Sequence, residues 1–595
     1  MSYKAPLKEM AFVMNQLAGL AEICKYPDYL ASELDTQMTQ AILEESAKFT
    51  QEVLDPLNWS ADCEPGYIKG NEVFTAKGFK EAYKFFTDGG WQGVVHPQGF
   101  GGQGLPKLVA TACTEMMNSA NLSFALCPLL TDGAIEALLT AASDEIKNLY
   151  LPNMISGKWT GTMNLTEPQA GSDLALVRTK AVVQSDGSYQ IFGTKIYITY
   201  GEHDLAENII HLVLARTPDA PEGVKGISLF VVPKFLVNPD TSLGVRNDVH
   251  CVSIEHKLGI KASPTAVLQF GDNGGATGYL VGEENRGLEY MFIMMNAARF
   301  NVGMQGVSIS ERAYQRAVQY ANDRLQSRDL SGSTGPVAII HHPDVKRMLL
   351  TMRAYTQATR SLAYIGAAAQ DTSHQDVDLQ TKLSAQEFFE FLVPIIKGFS
   401  TEVSVEVASL GIQVHGGMGY IEETGAAQHF RDARILPIYE GTTAIQANDL
   451  VGRKTLKDGG AVAMRIAKQI EITEAQLAQH PSADAHTMLK HLKAARVAFE
   501  EVVGYVVLNT KQDMKAVFGG SVTYLKLAGL TLCGWQMARA LLIAEECCDE
   551  DPDFYTAKIT TAVFFAQHLL TQVPGLAIAV TEGGKNLNKM TADQF

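Results

Sequence analysis

The stretch Ser185-Asp-Gly-Ser-Tyr-Gln-Ile-Phe-Gly-Thr-Lys-Ile-Tyr-Ile-Thr199 decides the fold class. Its second part, Tyr189–Thr199, alternates with period two as a half-buried strand does, and the Asp-Gly step before it turns the chain back onto Leu176–Gln184 as a hairpin. Asn208–Ala215, Ile227–Val232, Val249–His256 and Thr265–Gly271 carry the same strand signature. No helical pattern alternates with these strands, so the spacing predicts an antiparallel β domain between about 160 and 275 and disfavours a parallel Rossmann sheet.

On both sides the period changes. Glu33–Leu54, Leu108–Asn118 and Asp132–Ala142 place apolar residues three and four apart, as helices do. After about 284, long helical patterns return over Leu288–Asp323, Pro343–Asp371 and Thr381–Ser409, followed by a glycine-rich turn at Gly411–Gly419 and a short helix beyond Glu440. Lys457-Asp-Gly-Gly460 reads as a linker, and 461–595 as further amphipathic helices broken at Gln479–Ala485. The expected fold class is α+β, with an N-terminal helical domain (1–159), a central β domain (160–283), a C-terminal helical bundle (284–456) and an additional helical domain (461–595).

Composition narrows the function. Of 595 residues, 46% are hydrophobic and 19% charged, as in an ordinary globular protein. No run reaches the roughly 18 uninterrupted apolar residues of a membrane span, so no integral membrane segment is expected. The N-terminal segment lacks the pattern of a targeting peptide, which leaves a cytoplasmic reading. A net charge of −16 without long basic stripes argues against nucleic-acid binding. The eight cysteines are scattered, with no CxxC pair, and the fourteen histidines form no HExxH, so no metal site is expected. Gly99, Gly101 and Gly104 formally match GxGxxG, but Pro97 breaks the short run before them and Phe124 stands about where an acid would bind a ribose.

The chemistry gathers in five segments. Arg434-Ile-Leu-Pro-Ile-Tyr-Glu-Gly-Thr-Thr-Ala-Ile-Gln446 sets Glu440 before a glycine that permits close approach, after an apolar run able to desolvate a base. Taken alone, it reads more readily as a solvated turn glutamate before a helix cap at Thr442 or Thr443. Met163-Asn-Leu-Thr-Glu-Pro-Gln-Ala-Gly-Ser-Asp173 joins hydroxyl and backbone donors to a glycine kink, and Lys195-Ile-Tyr-Ile-Thr199 offers an aromatic and a threonine. Arg324-Leu-Gln-Ser-Arg328 and Gln413-Val-His-Gly-Gly-Met-Gly419 complete the set.

In this order the segments, with Phe100-Gly-Gly-Gln-Gly-Leu105, closely resemble the motifs of the acyl-CoA dehydrogenase family of flavoproteins over residues 40–455. The resemblance implies FAD, with Met163, Leu165, Thr166, Gly171 and Ser172 in its ring-binding loop and Tyr197 and Thr199 flanking the isoalloxazine. Arg324, Gln413, Gly416 and Gly417 would bind the diphosphate and adenosine of a neighbouring subunit's FAD, and Thr442 and Ala444 would contact FAD from the base segment. A homodimer or dimer of dimers follows. Glu440 would remove the α-proton of an acyl-CoA, its own N–H helping to hold the thioester oxygen, while the flavin accepts a hydride from Cβ. Ser172, Asn296, Arg299 and Gly441 would contact the substrate, and an electron-transfer flavoprotein would take the electrons.

The chain departs from the family pattern at three places. Tyr197 replaces a tryptophan, Asn296 an acid, and Ser327-Arg328 a Phe-Gly pair. The 461–595 extension, with Gly201-Glu-His-Asp204 and Ser253–Lys261, resembles a long bacterial subgroup acting on fatty acyl-CoA or on 3-methylmercaptopropionyl-CoA. Fatty acid β-oxidation is the first expectation and the sulfur substrate its alternative. A non-catalytic FAD-binding assembly protein and a flavin oxidase or monooxygenase are competing readings.

Overall fold

The computed structural model describes residues 2–30, 34–375, 377–587 and 589–595. The helix expected from Glu33 begins at Thr36, capped by the Asp35 side chain, which accepts from the Met38 N–H; Glu33 itself, like Met1, lies outside the described residues. It runs to Phe49 and continues as one π-helical turn to Leu54. The helices Lys107–Ala120 and Leu122–Ala141 follow, and Asn121 both ends the first and caps the second. A small hairpin, Tyr67–Lys69 with Glu72–Phe74, interrupts this otherwise helical region and was not legible in the sequence.

The central sheet runs in the order Val249–Ile254, Thr265–Phe270, Tyr189–Thr199, Ala276–Val281, Ser228–Pro233, Asn208–Ala215, Trp159–Asn164, with Lys180–Val183 added through the Asp-Gly hairpin. The hairpin register pairs Val183 with Tyr189. One pairing corrects the antiparallel expectation: Trp159–Asn164 lies parallel to Asn208–Ala215. The intervening hairpin supplies the long crossover that a parallel pair needs. All six residues of Trp159–Asn164 are buried, so it shows no period-two alternation to read.

Three long helices, Gly287–Asp323, Pro343–His374 and Leu379–His415, form the C-terminal bundle. Glycines let the first and third approach closely. A Cβ on Gly303 would sit 2.5 Å from the Ile396 side chain, and one on Gly306 2.6 Å from the Ser400 carbonyl oxygen. The extension packs onto the same helix from outside, where a Cβ on Gly398 would lie 2.5 Å from Leu525 and one on Gly529 2.3 Å from Phe399. A single hydrophobic core therefore runs from the N-terminal helices through the bundle into the extension. Trp535 is buried in it, and its indole N–H donates to Thr473 at 2.9 Å. Buried ion pairs join the layers: Arg360 donates to Glu115 at 2.6 Å and to Glu311 at 2.7 Å, and Lys558 pairs with Glu9.

Three helical stretches are, by length and composition, apolar enough to cross a membrane: Leu122–Ala141, Ser521–Glu546 and Pro552–Leu587. Counting uninterrupted apolar residues missed them, because isolated polar residues break each run. In the first two, 83% of the apolar window is buried against the rest of the chain, and in the third 44%. Core packing thus accounts for the apolar character of the first two.

Candidate active site

The candidate residues lie on two separately hydrogen-bonded segments. The first joins the Met163–Asp173 loop to the Tyr189–Thr199 strand. Ile196 N–H donates to the Thr166 carbonyl at 2.9 Å, which sets Thr166 alongside Tyr197. Beneath them the fully buried Lys195 donates to the Leu165 carbonyl at 3.0 Å and to the Glu167 carboxylate at 2.8 Å. Glu167 also accepts from the Arg178 N–H at 2.7 Å, the Thr179 N–H at 3.0 Å and the Thr179 hydroxyl at 2.5 Å. Burial pushes the Glu167 carboxyl up, but the Lys195 ammonium and these donors outweigh it and hold it at about 2. Burial also brings the Lys195 ammonium down to about 8 against the pull of Glu167.

Above this clasp the surface is open. Tyr197 has φ 60, in the left-handed region unusual for an aromatic residue, and is 62% exposed. Gly171 and Ser172 are exposed, Thr166 and Thr199 half-buried, and Met163 buried at the strand end. Leu165 is half-buried.

The second segment carries Glu440. Thr443 N–H donates to the Pro437 carbonyl at 3.0 Å, and the Thr442 side chain caps the helix Thr443–Asp449. Between them Glu440 (φ 52) and Gly441 (φ 88) are consecutive left-handed residues, the first unusual for a side chain of this size. Gln446 donates to both their carbonyls at 3.3 Å, and the Tyr439 hydroxyl donates to Gln305. No described residue accepts from the Glu440 N–H. Burial raises the Glu440 carboxyl to about 6, against the attraction of Arg299 and Lys397. That value suits a base working near neutrality.

Arg299 lies under this turn and not on an open surface. It is 3% exposed, its guanidinium stands 3.7 Å from Asp449, and a Cβ on Gly441 would be 3.7 Å from its Nη2. Asn296, one helical turn earlier, is exposed. Gly441 and Thr442 are half-buried and Ala444 exposed. Arg324 follows its helix as an exposed side chain that donates to the Gln326 side-chain carbonyl at 3.4 Å. Gln413, Gly416 and Gly417 are likewise exposed, with open space where side chains on the two glycines would project.

Sequence reasoning missed Lys397. It is fully buried in Leu379–His415, and its ammonium donates to the Leu436 carbonyl at 2.9 Å and the Gly441 carbonyl at 2.6 Å. The signal was present as a lone lysine in the apolar run Phe391-Leu-Val-Pro-Ile-Ile-Lys-Gly-Phe399.

Family models cover most of the chain in order. The acyl-CoA dehydrogenase N-terminal domain matches residues 36–158, the middle domain 162–273 and the C-terminal domain 285–454, and the acetyl-CoA dehydrogenase C-terminal-like model matches 463–591. A 3-methylmercaptopropionyl-CoA dehydrogenase of Ruegeria pomeroyi is 52% identical over 99% of both chains. The chain belongs to the acyl-CoA dehydrogenase family. A butyryl-CoA dehydrogenase of Syntrophomonas wolfei is 34% identical over 100% of this chain and 99% of its own. An acyl-CoA dehydrogenase from Bacillus anthracis, solved complexed with FAD, shares the fold at a TM-score of 0.74 and 22% identity, over 93% of this chain and 89% of its own.

Proposed function

We propose that the chain dehydrogenates a short acyl-CoA thioester between Cα and Cβ with bound FAD, and that 3-methylmercaptopropionyl-CoA is its substrate. The 52% identity to the Ruegeria enzyme over nearly the full length carries the substrate reading. The fatty acyl-CoA reading has less support, although the butyryl-CoA dehydrogenase relative favours a short alkyl chain as second choice.

The residues present suit a flavin dinucleotide. An outward aromatic ring at Tyr197 stands beside Thr166 and Thr199, and exposed Arg324, Gln413 and two unobstructed glycines offer a charged donor and close backbone approach for a diphosphate. When bound, FAD supplies the two-electron acceptor. Leu325, Leu330 and Tyr420, exposed around Arg324 and the Gln413–Gly417 turn, support a subunit interface at the diphosphate end. Ser172 and Asn296 are exposed where they can meet a bound thioester.

In this reading Glu440 takes the α-proton and its own free N–H donates to the thioester oxygen as enolate charge develops there. Burial keeps the carboxylate basic, while Arg299 and Lys397 keep it ionised near pH 7. A sulfur on Cβ favours the reaction twice: its lone pair stabilises positive character as hydride departs, and the product is a sulfur-conjugated enoyl thioester. An electron-transfer flavoprotein takes the electrons.

Pentanoyl-CoA is nearly isosteric with the methylthio substrate, so comparing the two separates sulfur preference from chain length. The proposal expects a higher kcat/KM for 3-methylmercaptopropionyl-CoA than for pentanoyl- or butyryl-CoA. Equal or better use of the alkyl chains would reassign the substrate. Oxygen consumption with no electron-transfer flavoprotein present would instead favour an oxidase.

A further inference from the structure

The geometry points to Lys397 as a positioning residue for the base: its ammonium clamps the Leu436–Gly441 turn shut around Glu440 and keeps a positive charge beside the carboxylate. The inference rests on the reading of Glu440 as the base.

The turn needs a clamp. Glu440 is left-handed and is followed by a left-handed glycine; a glutamate in that conformation is strained and persists only where its surroundings over-determine it. The carbonyls of Leu436 and Gly441 flank Glu440 on either side, and one ammonium holds both, at 2.9 and 2.6 Å. Gln446 adds a neutral donor to the Glu440 and Gly441 carbonyls at 3.3 Å, a longer and weaker contact.

The clamp is itself fixed. Its neighbours on the helix are wedged on two sides, Ile396 against Gly303 and Gly398 against Leu525, so the lysine stem has a rigid base. The charged groups facing the ammonium are Glu440, Arg299 and Glu402, and Arg299 in turn faces Asp449, Arg453 and Glu440. Glu402 also accepts a hydroxyl bond from Thr443 at 2.5 Å, and of the two carboxylates Glu440 acts more strongly on the ammonium. Burial lowers the Lys397 ammonium to about 7, and the Glu440 charge is the first force opposing that fall. A lysine buried only to fill space would have no reason to place its charge on the turn that holds a carboxylate.

Lys397→Met and Lys397→Gln, prepared as FAD-loaded enzymes, test this through flavin occupancy, kcat, KM and the pH profile of kcat/KM from 5 to 9. Loss of a nearby cation should move the acidic limb upward by about one pH unit in both variants. Lys397→Met, which cannot bridge the carbonyls, should lose about tenfold or more in kcat with little change in KM. Lys397→Gln, which keeps a donor, should recover part of kcat but not the pH midpoint. An unshifted midpoint in both variants overturns the proposal, and so does loss of flavin from Lys397→Gln, since a role confined to the base turn leaves the cofactor in place. Glu440→Gln run alongside separates the two failures. An inactive Glu440→Gln with unshifted Lys397 variants removes the clamp alone, whereas an active Glu440→Gln removes the base.

Discussion

Lys195→Met removes the cation under the Met163–Ser172 loop, proposed above to hold the flavin, without opening a large void. The wild-type clasp joins a fully buried ammonium to a carboxylate that is 4% exposed. Glu167 falls from an ordinary 4.5 to about 2, a difference worth roughly 3 kcal/mol at about 1.4 kcal/mol per unit. That stabilisation is fully present above pH 4.5 and is lost as pH falls through 2. Lys195 has the opposite sign: its fall from 10.5 to about 8 is a burial cost of similar size, present below pH 8 and fading by 10.5. The pair is therefore near break-even as a whole, but removing one partner strands the other, which typically costs about 3–5 kcal/mol. The Leu165 carbonyl also loses its charged donor. Most of this loss should appear as disorder of the Met163–Ser172 loop, weakening FAD by up to about a hundredfold. The assay is FAD fluorescence during thermal release, with hydrogen exchange across residues 163–172. The double variant Lys195→Met/Glu167→Gln should recover much of the release temperature. A single variant with wild-type affinity and loop protection would refute the reasoning.

Two more outcomes follow from the packing. Gly441→Ala should lower kcat more than tenfold, because a Cβ there would stand 2.6 Å from Gln446 Nε2 at φ 88, adding about 1–2 kcal/mol of left-handed strain; unchanged kcat would show that the turn tolerates rearrangement. Deleting 461–595 should cause aggregation or a changed oligomer, since it strips Gly398, Phe399 and Tyr355 of their cover by the Ser521–Glu546 and Pro552–His568 helices; unchanged assembly, stability and acyl preference by light scattering and kinetics would contradict that.

Much of the fold could be read from periodicity because most sheet strands have one wet face. Tyr189–Thr199 ends where the pattern places it, and so does Asn208–Ala215, which is buried throughout and was legible from its Ile-Ile and Leu-Val-Leu runs rather than from a wet face. Trp159–Asn164, with two threonines, a glycine and an asparagine among its six residues, was not read as a strand, and its parallel pairing with Asn208–Ala215 was lost with it. The order of motifs pointed to the loop, the strand and the base segment. What keeps them in place was less visible: the Glu167–Lys195 clasp joins residues 28 apart, and Lys397 reaches Gly441 across 44. The apolar Leu-Pro-Ile-Tyr run led to the expectation of a desolvated Glu440, but nothing in the run signals the two cations that limit the rise of its carboxyl. Arg299, read as a substrate contact from its place in the motif, lies buried beside that turn because its helix presents it to Asp449.

The central claim is that Glu440 removes the α-proton. Its most direct test is the rate at which 3-methylmercaptopropionyl-CoA bleaches bound flavin in a single turnover, followed against pH in wild type and in Glu440→Gln. In wild type the rate should rise with pH through about 6 as the carboxyl ionises. In Glu440→Gln, with flavin and thioester still bound, it should fall by about 10²–10⁴-fold. Bleaching of Glu440→Gln at near wild-type rate would contradict the account.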